Sequence, residues 1–209
     1  MATTIMSAPA ATPTRLHRFT VDEYERMATS DALDDPKRVE LINGYMVDKM
    51  PKSAGHSFST KKTITSLEVR LIPGWTWRSE QPIRIPDYDE PEPDISVVQG
   101  SDEDYEHRHP GPGEVGMAVE VSLSTLDHDR YEKGPAYARG RIPIYWIVNL
   151  VDRQIEVYSQ PGPDGYQFRD VYVVGQAVPV VIGGVEAEPI DVRSILPSEP
   201  ERTDGVRVD

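Results

Sequence analysis

Hydrophobic and polar positions recur with two different periods along this chain. Thr20-Val21-Asp22-Glu23 has the Thr-x-x-Glu spacing in which Thr caps a helix and Glu reaches back, and it predicts a short helix through about Ala28. The stretch RVELINGYMVD (38–48) places Asn43-Gly44 between two apolar-rich arms, a pair suited to the tight turn of a β-hairpin. From Ser53 to Ile72, Ile64, Leu67 and Leu71 fall at helical spacing, and Pro73-Gly74 ends that helix. Short strands are predicted at WTWRS (75–79), Ile83-Arg84-Ile85, DISVV (94–98) and GMAVEVS (116–122). Gln99 to Gly113 reads as a polar loop, and Asp129 to Arg139 as a helix. Two β-rich runs follow, 142–150 and 153–160, turning at Val151-Asp152, with later strands around 166–174, 177–182 and 185–190. This order predicts a mixed α/β or α+β domain with one central sheet, spanning 15–196 between flexible tails at 1–14 and 197–209.

Composition narrows the chemistry. The chain has no Cys, which excludes a disulfide framework, a thiolate zinc site and a cysteine nucleophile. No stretch is apolar enough to span a membrane, and the first residues lack the basic start and apolar block of a secretory signal, so a cytoplasmic location is expected. The formal net charge of -13 is awkward for a duplex-DNA binder, which usually presents a basic face. The charge is uneven, however. Residues 1–85 carry 12 basic and 10 acidic side chains, whereas residues 86–106 carry 9 acidic and none basic. The acidity is concentrated where a carboxylate could do chemistry.

Two acids stand out. Asp94, in Glu92-Pro93-Asp94-Ile95-Ser96, enters a strand directly after Pro. Glu120, in Met117-Ala-Val-Glu120-Val-Ser, sits mid-strand and points away from Val119 and Val121. If the sheet is covered on both faces, Glu120 is a buried acid that needs a partner; if not, it is an ordinary solvent-facing residue. Carboxylates on neighbouring strands can hold Mg²⁺, which prefers oxygen ligands and keeps several waters. Two residues after Glu120, on the same face, stands Ser122 rather than Lys; the next candidate cation is Lys133. Helical spacing puts Asp129, Lys133 and Tyr137 on one face, with a kink or restart expected at Gly134-Pro135.

Taken in order, VELINGYMV, the His of AGHSF, EPDISVV, AVEVSLST, the Asp-x-x-x-Lys of 129–133 and YARGRIPIYWIVNL followed by IEVY resemble the family of bacterial proteins called putative restriction endonucleases, within the PD-(D/E)XK nuclease superfamily. The resemblance runs from about Arg18 to Tyr158. It implies a restriction-endonuclease-like core with an N-terminal helix and β-hairpin and extra C-terminal strands. It implies Asp94 and Glu120 as metal ligands, with the Val121 carbonyl able to contribute. Lys133 would be a migrated lysine that positions water or stabilises phosphate, Glu40 an accessory acid, and His56 a residue lining the same pocket. Mg²⁺ or Mn²⁺ as cofactor, DNA as substrate and a homodimer are further implications. The chain departs from the family pattern at Tyr45, where an acid is usual, at Leu123, where Pro is usual, and at Gly134-Pro135.

Other readings stay open. The acidic surface and Ser122 favour a catalytically inactive member acting as a binding or interaction module, and a metal-dependent hydrolase of some other substrate suits the charge. Glu40 could be an exposed hairpin acid, Lys133 an exposed helix lysine, and His56 a helix-start histidine satisfied by backbone. His107 and His109 have no evident third ligand for a metal. Lys61 and Lys62 read as a solvated helix face, and Tyr145 and Trp146 as core strand aromatics.

Overall fold

The computed structural model describes residues 16–198 apart from 31 and 34, so the expected tail at 1–14, and that at 197–209 beyond 198, lie outside the described residues. Helix α1 (Val21–Ala28) starts as its sequence predicts. Thr20 Oγ accepts from the Glu23 N–H at 3.3 Å, and the Glu23 carboxylate accepts from the Thr20 N–H at 2.9 Å. Strands β1 (Val39–Ile42) and β2 (Tyr45–Asp48) form the hairpin. Both turn residues have positive φ, 52° at Asn43 and 79° at Gly44, which is the turn that Asn-Gly tolerates best. Helix α2 (Ala54–Glu68) ends short of Ile72, and just beyond its end the Arg70 side chain donates to the carbonyls of Ser66, Glu188 and Pro189.

The centre is a six-stranded sheet in the order β3-β4-β5-β6-β7-β8: β3 (Trp75–Arg78), β4 (Ile95–Gln99), β5 (Val115–Ser122), β6 (Ile144–Asn149), β7 (Gln154–Gly162) and β8 (Gly165–Val173). Only β5 and β6 pair in parallel. A parallel pair needs a crossover, and the helical run after β5 supplies it. That run consists of α3 (Leu126–His128), a π-helical turn (Asp129–Lys133) and α4 (Gly134–Arg139), without a break. Strands β9 (Ala177–Ile182) and β10 (Val185–Asp191) and helix α5 (Val192–Ile195) complete the described chain.

The expected central sheet is accompanied by the expected N-terminal hairpin and extra C-terminal strands, since β1-β2 and β9-β10 form separate two-stranded sheets. One expectation is corrected. Ile83-Arg84-Ile85 is not a sheet strand: Pro82 and Pro86 bracket it, and its one ladder contact is an isolated bridge from Ile85 to Asp89. Its alternation is nevertheless meaningful, since Ile83 and Ile85 are buried and Arg84 is not.

Both faces of the sheet are covered. On one face Val97, Met117, Val119, Trp146 and Val148 pack with Leu67 of α2 and with Val180 and Ile182 of β9. On the other, Ala118, Tyr145 and Ile147 pack with Tyr137 of α4, Ile83 and Ile85. The alternation of β5 therefore sends Glu120 into the second, helix-covered layer, between Ala118 and Ser122. Among the described residues no helix is long and apolar enough to cross a membrane.

Candidate functional site

Strands β4 and β5 run antiparallel with Ile95 opposite Val119, so continuing the register by one residue sets Asp94 opposite Glu120. Both acids then lie on the same side of the sheet. They are buried, at 6% and 4% exposure, yet line a cleft of about 1140 Å³. Every residue singled out from sequence lines that cleft: Asp94, Glu120, Val121, Lys133, Glu40 and His56.

Each reaches it by a different element. Glu40 points inward from β1 and accepts from the Glu92 N–H at 2.9 Å. His56, in the first turn of α2 behind the Ser53 cap, sets its Nε2 3.0 Å from Asp94 Oδ2. The same Asp94 oxygen accepts from the Val121 N–H at 2.8 Å, and Asp94 Oδ1 lies 3.1 Å from Lys52 Nζ. Lys133 is the hub, with its ammonium 3.0 Å from Glu40 Oε2, 3.0 Å from Glu120 Oε1 and 3.1 Å from the Glu92 carbonyl. Tyr137, one turn on, donates to Glu120 Oε1 at 2.6 Å.

The anticipated break at Gly134-Pro135 takes the form of the π-turn. The Gly134 N–H bonds the Asp129 carbonyl, five residues back. Pro135 has no N–H to give, and in a straight α-helix its ring would press on the carbonyl of Tyr131. A widened turn relieves that clash while keeping the residues helical. Asp129, Lys133 and Tyr137 share the buried face, as their spacing predicts. Ser122, two residues after Glu120, donates to Asp129 Oδ2 at 2.7 Å, as does Thr125 Oγ. The serine thus ties the helix to the strand from which Lys133 returns.

Charge in the cleft is unbalanced. Its lining holds the carboxylates of Glu40, Asp48, Glu80, Glu92, Asp94, Glu120 and Asp129 against the ammonium groups of Lys49, Lys52 and Lys133. Burial pushes the Glu120 carboxyl well above the usual range, against the pull of Lys133. Burial acts on Asp94 too, but the hydrogen bond and charge of His56, the charge of Lys52 and the Val121 N–H outweigh it and hold Asp94 low. Glu40 is likewise held low despite burial, chiefly by Lys133. Lys133 is driven up by Glu120, Glu40 and Asp129, which overcome its own desolvation.

Among the described residues no three His, Asp or Glu side chains are grouped into a metal cage. The donor set in the cleft nevertheless suits a hard divalent ion: two opposed carboxylates, the Val121 carbonyl, room for water and a surplus of negative charge. The Val121 N–H points towards β4, and a strand residue's carbonyl points the same way as its N–H.

Sequence reasoning gave no role to Lys52, Lys49, Glu92, His109 or His128, all of which line the cleft. Lys52 follows Pro51 in a segment without periodicity, and only the fold carries it to Asp94. His109 comes from the polar loop after β4, and His128 lies 3.9 Å from Glu40. Tyr137 alone had a signal, its place one turn after Lys133.

No curated protein matches the chain. A solved structure, that of a putative nuclease belonging to DUF820 from Anabaena variabilis, superimposes with a TM-score of 0.61 at 16% identity. The match covers 85% of this chain and 97% of that one. At this identity the likeness establishes a shared fold and no more. The family model for Uma2, putative restriction endonuclease, matches residues 21–191, which include β1, β4, β5 and the helix bearing Lys133. The chain belongs to the Uma2 family of putative restriction endonucleases.

Proposed function

We propose that the protein is a metal-dependent endonuclease that hydrolyses phosphodiester bonds in DNA. The observation that carries this reading is the placement of Asp94 and Glu120 side by side on one sheet face, with the Lys133 ammonium 3.0 Å from Glu120. Asp94 and Glu120, with the Val121 carbonyl, would hold Mg²⁺ or Mn²⁺. Such an ion, when bound, polarises a phosphoryl oxygen and lowers the pKa of a coordinated water.

The chain's own residues divide the remaining work. Lys133 carries a fixed positive charge at the floor of the cleft, where charge builds on the phosphate during attack. It is held between Glu40 and Glu120, so it needs no reorganisation to meet that charge. Tyr137 holds one Glu120 oxygen, which orients the carboxylate. His56 and the Val121 N–H orient Asp94 in the same manner. Lys52, more exposed than Lys133, is a phosphate contact nearer the solvent. The family resemblance adds a homodimer, which would suit cutting both strands.

The rival is an inactive member that keeps the fold as a binding module. The observation in its favour is the acidic lining of the cleft, which repels a polyanion until a cation binds. Incubation with Mg²⁺ or Mn²⁺ and with plasmid, single-stranded DNA and RNA separates the two readings. Cleavage of DNA that is lost in Glu120→Ala and Asp94→Ala supports the endonuclease. Intact substrates throughout, with binding retained, support the module.

A further inference from the structure

Of the buried acids outside the cleft, one is tied to the helix that bears Lys133. Glu156, on β7, is fully buried and accepts hydrogen bonds from Asn149 Nδ2 at 2.9 Å, Tyr158 OH at 2.8 Å and Arg169 Nε at 3.0 Å. Its fourth strong partner comes from the catalytic helix. Arg130, the second residue of the π-turn, grips both Glu156 oxygens, with Nε 3.1 Å from Oε2 and Nη2 on Oε1.

The register shows what this grip does. Glu120 on β5 is opposite Ile147 on β6, and Ile147 is opposite Glu156 on β7. The two acids therefore stand in one row on the helix-covered face, two strand spacings or roughly 10 Å apart. The π-turn spans the row and is fastened at both ends, by Lys133 to Glu120 and by Arg130 to Glu156. Between them Tyr145 OH donates to the Asp129 carbonyl at 3.0 Å, and a Cβ added to Gly134 would come within 3.4 Å of the Tyr145 ring. Ser122 and Tyr145 hold Asp129, and Lys133 and Tyr137 hold Glu120, so these ties all run to β5 and β6. Arg130 adds the tie to β7, which resists rotation of the turn about the line that the others define. The π-turn has also given up regular α-helical hydrogen bonding, so its shape depends on such outside contacts more than an α-helical turn would.

We propose that Arg130 and Glu156 are a positioning pair for Lys133: their bidentate ion pair sets the rotation of the π-turn that delivers the ammonium between Glu40 and Glu120. The consequence for turnover rests on the role of Lys133 proposed above; the consequence for the position of Lys133 does not. Arg169 provides the control, because it pairs with the same carboxylate from β8, not from the helix.

The test compares Arg130→Gln with Arg169→Gln in the full chain by two readouts. The first is the rate at which an amine-reactive ester modifies Lys133, followed by peptide mass spectrometry. The second is kcat against KM for DNA cleavage with Mn²⁺. Buried and ion-paired, Lys133 reacts slowly in the native protein. Arg130→Gln is expected to speed its modification about tenfold, the factor that corresponds to about 1.4 kcal/mol of lost anchoring, and to lower kcat by a similar factor at unchanged KM. Arg130→Lys, which keeps the charge but loses the fork, falls between Arg130→Gln and the native protein in both readouts. If Arg130→Gln does not fold, Arg130→Lys carries the decision. Arg169→Gln keeps the native rate in both. Equal effects of Arg130→Gln and Arg169→Gln, or native labelling of Lys133 in the Arg130 variants, overturn the proposal. If the native protein cleaves no nucleic acid, the endonuclease reading fails, while the labelling comparison still decides the positioning pair.

Discussion

Lys133→Met removes the ammonium at the hub of the cleft and nearly preserves its volume. Two buried carboxylates, Glu40 and Glu120, each lose a partner at 3.0 Å, and each is at 4% exposure, too deep for water to replace it freely. Removing one member of a buried ion pair costs about 3–5 kcal/mol. For a chain of this length that is a fall in Tm of roughly 6–20 °C. The cost depends on pH, and its sign can be worked out. Without Lys133, burial is left to raise the Glu40 carboxyl, which Lys133 holds low in the native protein, and raises further the Glu120 carboxyl, which it already lifts there; the unfolded chain keeps both near the ordinary 4.5. Above 4.5 the folded variant therefore binds more protons than the unfolded chain, and its stability falls as pH rises. The slope approaches about 1.4 kcal/mol per pH unit for each proton retained. Urea unfolding of both proteins at pH 5, 6.5 and 8 measures the difference, which should be smallest at about pH 5 and grow towards about pH 8. A loss below about 1 kcal/mol that does not change with pH would refute the reasoning, because it would place Lys133 outside the ion-pair web.

Other consequences can be checked separately. Glu90 is buried with one oxygen lacking any partner, and burial, with Glu25 adding to it, pushes its carboxyl up to about 8. It is therefore protonated in the folded state at neutral pH and costs stability as pH climbs from about 4.5 through about 8; Glu90→Gln should flatten the fall in Tm over that window and raise Tm above it. Gly116 lies beneath the Trp75 ring, where an added Cβ would come within 2.5 Å of a ring carbon. Gly116→Ala should cost about 1–3 kcal/mol in chemical denaturation through overpacking, with no change in the net charge of the cleft.

Much of this arrangement could be read from local pattern, because local pattern had a physical cause. Asn43-Gly44 specifies its turn through backbone sterics, and Thr20 with Glu23 specifies a helix start through hydrogen bonds within four residues. Glu120 was informative because an acid amid valines is costly unless it is partnered, and the second covering layer made that cost real. Lys52 and His109 are silent because loops carry them to the cleft, and no periodicity encodes where a loop side chain ends up. Gly134-Pro135 signals a disturbance of the helix but not its resolution as a π-turn. Local propensity reveals that a proline disturbs a helix; only packing against Tyr145, Ser122 and Glu156 reveals how the disturbance is resolved. The separate sheet of β9-β10 was hidden for the same reason, since its strands look like any others until their partners are known.

The central claim is that Asp94 and Glu120 together hold the ion on which DNA cleavage depends. Its most direct test is Mn²⁺ titration calorimetry and plasmid cleavage, performed on the same preparations of the native protein, Asp94→Asn and Glu120→Gln. The account predicts that the native protein binds Mn²⁺ and cuts, and that each substitution weakens binding and abolishes cutting together. Cleavage that persists in Glu120→Gln, or Mn²⁺ binding that both variants retain in full, would contradict it.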